Sequence, residues 1–122
     1  MTSPTNQPLQ ATGGRAISAG AAGILMPVIP KALNGYTIQD VDNNLIYGST
    51  DAGAATVTCP AGLELGTVVT VYQMGAGQVT FVAGAGASVV QASGYTKTRA
   101  QYGLAQVQLC APNVWVLTGD VA

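Results

Sequence analysis

The sequence predicts an all-β protein: a small antiparallel β-sandwich or barrel-like domain over residues 34–122, preceded by an extended N-terminal arm over residues 1–33. Short runs of β-forming residues alternate between apolar and polar side chains, which is typical of strands with one buried face. Glycines separate these runs at nearly even spacing, at positions 66, 75, 84, 94 and 103. Each strand is therefore expected to cross a small core once before the chain reverses at a turn.

The arm differs in composition from the rest of the chain. It contains four prolines, four glycines and a single charged residue before Lys31, so it is a poor strand or helix on its own. Its apolar centre, residues 24–29, is costly to leave in water, because burial contributes about 25 cal/mol per Å² of apolar surface. We expect the arm to lie extended across a neighbouring subunit. The alternatives are a disordered N-terminus and a short helix over residues 16–22, which glycines weaken.

The β-domain is expected to begin with a hairpin. Residues 36–39 form its first strand, the chain turns at Asp42 and Asn43, and residues 44–48 return, since Asp and Asn tolerate left-handed turn conformations. The later strands are predicted over residues 54–59, 67–73, 78–82, 87–91, 97–102, 105–109 and 114–118. The last strand is apolar on both faces, which indicates that its second face meets another subunit or the arm.

Charged residues are scarce. They make up 7% of the chain, and the mean hydropathy is +0.36, whereas about 25% of residues are charged in a typical soluble domain. A membrane span does not explain this composition. The longest apolar run, residues 16–30, is interrupted by glycine and proline and is shorter than the ~20 residues that a spanning helix needs. The net charge of −1 provides no basic surface for nucleic acid. The composition therefore favours a protein whose apolar surface is covered in an assembly.

No residue pattern predicts catalysis, a cofactor or a metal site. The chain has no histidine and its five acidic residues are scattered, which excludes a catalytic triad, so we expect no enzyme. The glycine pairs at 75/77 and 84/86 precede strands rather than a helix, which disfavours a phosphate-binding loop. Their nine-residue step suggests a β-roll, but the aspartates that bind calcium in such repeats are absent. Residues 40–44 are interpreted as a turn, since they lack the glycine and glutamate of a calcium loop.

The two cysteines, Cys59 and Cys110, are too few for a disulfide framework. If both lie on regular strands, their alternation with neighbouring apolar residues points one side chain inward and the other outward. Two thiols on opposite sides of a sheet do not bond to each other, so we expect both to be free. The alternative is a disulfide between subunits at Cys110.

Four stretches resemble a small β-domain that is frequent in virion structural proteins of tailed bacteriophages. They are GQVTF at residues 77–81, GAG at 84–86, KTRAQY at 97–102 and NVWVLTGD at 113–120. The likeness covers about residues 35–121. In these phages the domain is seen at the ends of tail-fibre and head-fibre proteins and in small proteins of the capsid surface. The resemblance implies a compact β-sandwich or barrel-like unit that oligomerises, without enzymatic activity or catalytic residues.

In this chain the domain follows only the arm, which favours a capsid decoration (cement) protein. Such a protein binds the assembled head shell and stabilises it by bridging capsid subunits. The expected partners are the major capsid protein and copies of the chain itself, with no nucleic acid and no membrane. The expected location is the capsid surface of the virion, after assembly in the host bacterial cytoplasm. The alternative is a tail or head fibre, collar or adsorption component whose exposed Tyr and Gln side chains bind a host glycan.

The expected contact residues fall into two sets. The arm is expected to bind the capsid through Ile24, Leu25, Met26, Val28 and Ile29. Contacts between subunits are expected at Lys97, Arg99, Trp115, Leu117 and Asp120. Lys97 and Arg99 share one face of a predicted strand. They form either a solvated edge that discourages strand pairing or an ion pair across subunits with Asp120 or Glu64.

Overall fold

A computed structural model describes residues 25–122 of the chain. Within this range the fold consists of strands and one single-turn 3₁₀ helix at Asp40–Asp42, with no α-helix. The strands are β1 (Val28–Lys31), β2 (Tyr36–Thr37), β3 (Leu45–Ser49), β4 (Ala55–Cys59), β5 (Val68–Gln73), β6 (Val79–Ala83), β7 (Ser88–Val90), β8 (Leu104–Ala111) and β9 (Val114–Gly119). The prediction of an all-β protein is confirmed. No helix in this range is long and apolar enough to cross a membrane.

The strands form two sheets between which the chain alternates. The larger sheet has the order β1-β3-β5-β8-β9-β7, and the smaller has the order β2-β4-β6. Neighbours from successive passes are parallel, so Val28 lies beside Ile46, which lies beside Thr70. The first six strands therefore form a short, solenoid-like stack of three coils, each with one strand in either sheet. Strands β8 and β9 form an antiparallel hairpin, and β8 also pairs antiparallel with β5. Strand β7 pairs parallel with β9 and is the last strand of the larger sheet.

The strand direction differs from the predicted antiparallel sandwich or barrel. The expected hairpin over residues 36–48 does not form, because β2 pairs with β4 while β3 pairs with β1 and β5. The physical reason is that period-2 alternation and glycine turns identify strands and corners without fixing the direction in which neighbours pair. A β-roll was disfavoured because calcium-binding aspartates are absent, but parallel coils that pack through side chains need no calcium.

Two predicted boundaries also change. Strand β1 lies within the range predicted as arm, and Leu33 after it is buried, so the folded part of the chain includes residues 28–33. Ile24, with the rest of residues 1–24, lies outside the described residues. The predicted strand over residues 97–102 is instead a loop that makes isolated bridges from Lys97 to Thr80 and from Thr98 to Val121.

The core lies between the two sheets and is filled by alternate side chains of both. Trp115 and Phe81 are its largest members, with exposed fractions of 0% and 1%. The other buried apolar residues are Leu33, Ile38, Tyr47, Ala55, Val57, Cys59, Val69, Val71, Val79, Ala105, Val107, Leu109 and Leu117. Since inward residues alternate with outward ones along each strand, the same register determines which side chains face solvent.

Candidate interaction surface

The outward-pointing side chains of the larger sheet form a surface that we call the outer face. Its members alternate with residues on the opposite side of the sheet, which belong to the core in β5, β8 and β9. They are Val28, Pro30, Ile46, Gly48, Val68, Thr70, Tyr72, Ser88, Val90, Leu104, Gln106, Gln108, Val116 and Thr118. None of these side chains is charged. The solvated face of an ordinary sheet is polar, and natural sheets keep charge along their exposed edges, so this neutral face has the composition of a contact surface.

An aromatic patch lies at one end of the outer face. The Tyr102 side chain is 69% exposed, and its ring centroid lies 6.4 Å from that of Tyr72 with an angle of 33° between the planes. Leu104, two residues further on, is 52% exposed. On the other side of Tyr72, Met74 and Val28 close over Gly48, where a Cβ would overlap both side chains. Large exposed apolar side chains thus extend across the sheet from β8 to β1.

Tyr102 occupies an unfavourable backbone conformation. Its φ is +72°, a region that is rare for bulky residues and costs about 1–2 kcal/mol outside glycine. Neighbouring hydrogen bonds hold it there. The Tyr102 N–H donates to the carbonyl of Gln73 at 2.7 Å, and the Gln101 side-chain amide donates to the carbonyl of Met74 at 2.9 Å. A tyrosine is therefore kept at a position that glycine would occupy without strain, with its ring directed into solvent.

The N-terminal end of the coil stack is also exposed. Strand β1 pairs only with β3 among the described strands, so its other edge has no strand beside it in this range. Leu25 and Met26 precede β1 and are 91% and 49% exposed, and Val28 and Ile29 within it are 42% and 37% exposed. These are the described members of the predicted capsid-binding set. Four large apolar side chains within five residues, at and just before an open sheet edge, form a second surface that favours contact with another chain.

A polar cluster fastens the first coil to the 3₁₀ turn. The carboxylate of Asp42, which is buried, accepts hydrogen bonds from the Tyr36 hydroxyl at 2.7 Å, the Gln39 N–H at 2.8 Å and the Tyr47 hydroxyl. The Lys31 ammonium lies 4.5 Å from the Tyr36 ring centroid and 5.7 Å from that of Tyr47. Both arrangements are attractive, one as charge-assisted hydrogen bonds and the other as cation–π contacts. These contacts hold the first coil against the 3₁₀ turn, which gives the buried Asp42 carboxylate a structural role.

Burial raises the pKa of both phenols, and the hydrogen bond to Asp42 raises it further. An anionic phenolate would lose its solvation and face a carboxylate, so each tyrosine remains a neutral donor at ordinary pH. Both hydroxyl groups already donate to the Asp42 carboxylate. Among residues 25–122, no group of three or more Asp, Glu or Cys side chains is placed to hold a metal ion.

Two of the predicted subunit contacts lie in the core. Trp115 and Leu117 are 0% and 1% exposed, and the Trp115 indole N–H donates to the carbonyl of Pro60 at 2.9 Å. The expectation that these side chains contact another subunit is wrong for this fold, because β9 turns them toward the interior. The alternate residues of β9, Val116 and Thr118, belong to the outer face. The second apolar face predicted for this strand is therefore the side opposite Trp115.

The ion pair that was expected between subunits, Arg99 with Asp120, forms instead within one chain. The Arg99 guanidinium binds the Asp120 carboxylate through two hydrogen bonds, Nε to Oδ1 at 2.7 Å and Nη2 to Oδ2 at 3.0 Å. This pairing lowers the pKa of Asp120 and raises that of Arg99. The bidentate geometry satisfies both groups without a second subunit. Lys97 is exposed, and its backbone pairs with Ala122.

The cysteines are placed as strand parity predicted. Cys59 is buried and Cys110 is exposed, and both are free thiols. Burial raises the pKa of Cys59 to about 12, so its thiol stays protonated and unreactive.

Sequence reasoning missed the outer face and Tyr102. A usable signal was present, because the polar positions of residues 67–73, 105–109 and 114–118 are Thr and Gln rather than charged residues. The strain at Tyr102 had no comparable signal, since a left-handed φ follows from how the loop joins β8.

No family model, curated protein or solved structure matches the chain.

Proposed function

We propose that this chain is a structural protein of a tailed-phage virion, a capsid decoration (cement) protein that binds the head shell and bridges its subunits. The observation that carries the proposal is the neutral outer face, which runs across all six strands of the larger sheet without a charged side chain. A protein with so little charge gains solubility by covering such a surface in an assembly. The resemblance of residues 77–120 to phage virion domains supports the same function.

The exposed segment before and within β1 supplies a second contact region. Leu25, Met26, Val28 and Ile29 form an apolar stretch at an open sheet edge, and residues 1–24 continue from it. The outer face and this stretch are two separate contact regions in one molecule, so the chain can bind the major capsid protein and a further copy of itself at the same time. Linked contacts raise the effective affinity far above that of either contact alone. The proposed partners are accordingly the major capsid protein and further copies of the chain.

The test is occupancy of expanded capsids from the phage whose genome carries the coding sequence. A variant that lacks residues 1–27 retains β1 and therefore the whole stack. We expect it to fold and to lose binding to capsids, measured by co-sedimentation and by reconstruction of the particles from electron micrographs. A matched control, Val41→Ser, removes an exposed apolar side chain outside both surfaces and should bind normally. Unchanged occupancy by the truncated variant would refute capsid binding through this segment.

A second function, host-surface binding by a fibre or collar component, is favoured by the exposed tyrosines. Tyr95 and Tyr102 are 47% and 69% exposed, and Gln101 lies beside Tyr102. Amphipathic rings with adjacent amides suit contact with a sugar. The two functions are separated by incubating the purified protein with host cells and with capsids in parallel. Binding to cells that Tyr102→Ala abolishes, without binding to capsids, would favour the fibre function.

A further inference from the structure

We propose that the outer face of the larger sheet is the surface through which two copies of this chain associate, with Tyr102 as its anchor. This inference rests on the proposed function, which requires copies to meet on the shell, and it assigns that contact to particular residues. The predicted subunit contacts are used within the chain: Trp115 and Leu117 fill the core, and Arg99 is paired with Asp120. The outer face is the broad surface that remains.

Charge favours a second copy as the occupant. When two copies meet around a two-fold axis, each surface faces itself, so a charge close to the axis approaches a like charge. A face without charged side chains is free of that repulsion. The nearest ion pair, Arg99 with Asp120, is already neutralised within the chain. The Thr and Gln side chains of the outer face, such as Thr70 and Gln106 on adjacent strands, carry both donors and acceptors. They can therefore form hydrogen bonds with the same side chains of a second copy.

The area of the outer face is close to that of a specific interface between two proteins. Six strands about 4.8 Å apart span roughly 24 Å. The strands average about five residues and at about 3.3 Å per residue span roughly 18 Å, which gives about 430 Å² of projected area. Two copies thus cover about 860 Å² before the relief of the side chains is counted, close to the roughly 1,000 Å² of a specific interface. Tyr102 and Met74 project from adjoining loops and add to this area.

Tyr102 provides an independent observation. Strained backbone persists where the surrounding structure enforces it, and such positions concentrate at functional sites. The ring lies beside that of Tyr72 but remains 69% exposed, so contacts within the chain do little to offset the strain. Tyrosine is among the residues that dominate binding energy at protein interfaces. The strain is explained if the ring is buried by a second copy.

A glycan fits this face less well. Sugar sites combine aromatic rings with convergent polar groups that fix the hydroxyls. Here Tyr72 has Leu104 beside it on the neighbouring strand, and Met74 and Val28 lie over Gly48 on its other side. The nearby Gln101 side-chain amide already donates to the carbonyl of Met74. Aliphatic side chains next to tyrosine and methionine are typical of the buried centre of a protein interface.

The experiment is sedimentation equilibrium of the full chain from micromolar to near-millimolar concentration, with the ionic strength raised in parallel. We expect reversible association that persists in high salt, since salt screens charge pairs but does not weaken apolar contacts. Two variants address the face. Leu104→Lys places an unpaired charge in the proposed contact, where burial would remove its water, and Tyr102→Gly removes the ring while relieving the strain. Each should weaken association by at least about tenfold.

Val82→Lys is the matched control, because Val82 is a similarly exposed outward residue of the smaller sheet. It should leave association unchanged. Folding of every variant is verified by the emission of the buried Trp115. Tyr102→Gly has a further expected result: its thermal stability as a monomer equals or exceeds that of the wild type. A monomeric wild type would overturn the inference, as would equal effects of Leu104→Lys and Val82→Lys, or glycan binding by a monomer through Tyr102. A wild-type chain that associates but does not bind capsids would instead refute the proposed function alone.

Discussion

Gly77 lies against the backbone of Gly53, so that a Cβ on Gly77 would overlap the Gly53 carbonyl oxygen. The contact arises because the corner after β5 stacks directly on the corner after β3. Two hydrogen bonds fix this stacking: the Gly77 N–H donates to the Asp51 carbonyl at 3.1 Å, and the Gly75 N–H donates to the Ser49 carbonyl at 2.9 Å. The corners of successive coils are therefore packed backbone to backbone, and glycine at position 77 is required by space.

Gly77→Ala should lower the free energy of unfolding by about 1–3 kcal/mol, because the added methyl group forces the two corners apart. The matched control is Gly53→Ala in the facing corner. A Cβ there meets no atom within 4 Å, so this change should be neutral or stabilise by up to about 1 kcal/mol through the unfolded chain. Urea denaturation followed by Trp115 fluorescence measures both. Equal effects of the two substitutions would contradict stacked corners.

The contact between Gly77 and Gly53 also shows which features of the fold could be predicted from the sequence. The glycines at 75, 77 and 84 were predicted as turns, and they do lie between strands. Their second property, close approach to another coil, depends on which turn lies opposite. Gly84 illustrates this, since its Cβ would lie 3.2 Å from the Cα of Pro60 in the preceding coil. Alternation identified most strands and their buried faces, but stacking order is a long-range property that a single sequence does not encode locally.

Alternation also predicted part of the candidate surface. Alternation separated Val107 and Leu109 in the core from Gln106 and Gln108 outside it, as the structure has them. It also implied that β9 has two apolar faces. It assigned Trp115 to the wrong face, because the choice between two apolar faces depends on which sheet lies opposite.

The Asp42 cluster predicts a specific loss of stability. Tyr47→Phe removes a phenol that donates to the buried carboxylate, and a buried acceptor that loses a partner costs about 1–3 kcal/mol. Tyr95→Phe is the control, because Tyr95 is 47% exposed and its hydroxyl stays solvated. Thermal unfolding at neutral pH compares the two variants. Equal stability of both would mean that the Tyr47 hydroxyl contributes nothing to the cluster.

The same cluster determines the response to alkali. The pKa values of Tyr36 and Tyr47 are raised above the ordinary value of 10.0, so the folded state retains protons that the unfolded state releases. The resulting stabilisation is fully present below pH 10.0 and is lost as the pH rises through the raised values. We expect the melting temperature to fall above pH 10.0 and to fall less in Tyr36→Phe/Tyr47→Phe. An identical alkaline decline in the double variant would assign it to other groups.

The two thiols should differ sharply in reactivity. Cys110 is exposed, whereas burial raises the pKa of Cys59 to about 12, and only a thiolate attacks a disulfide reagent. In the native protein an aromatic disulfide reagent should modify Cys110 rapidly and Cys59 only after the protein is unfolded in denaturant. Cys110→Ser should abolish the rapid phase, and Cys59→Ala should leave it intact. Rapid modification in Cys110→Ser would show that the core opens near Cys59.

The Arg99–Asp120 pair predicts a small dependence of stability on acid. Pairing lowers the pKa of Asp120 below its ordinary value of 3.8, so in acid the unfolded state binds a proton more readily than the folded state. The contribution is therefore present above pH 3.8 and disappears as the pH falls through the lowered value. Both groups are exposed, so the effect is small and is screened by salt. At low ionic strength the melting temperature should decrease less on acidification in Asp120→Asn than in the wild type. The control Glu64→Gln, at an exposed carboxylate, should show the same decrease as the wild type. If both variants retain the wild-type decrease, the pair does not contribute in solution.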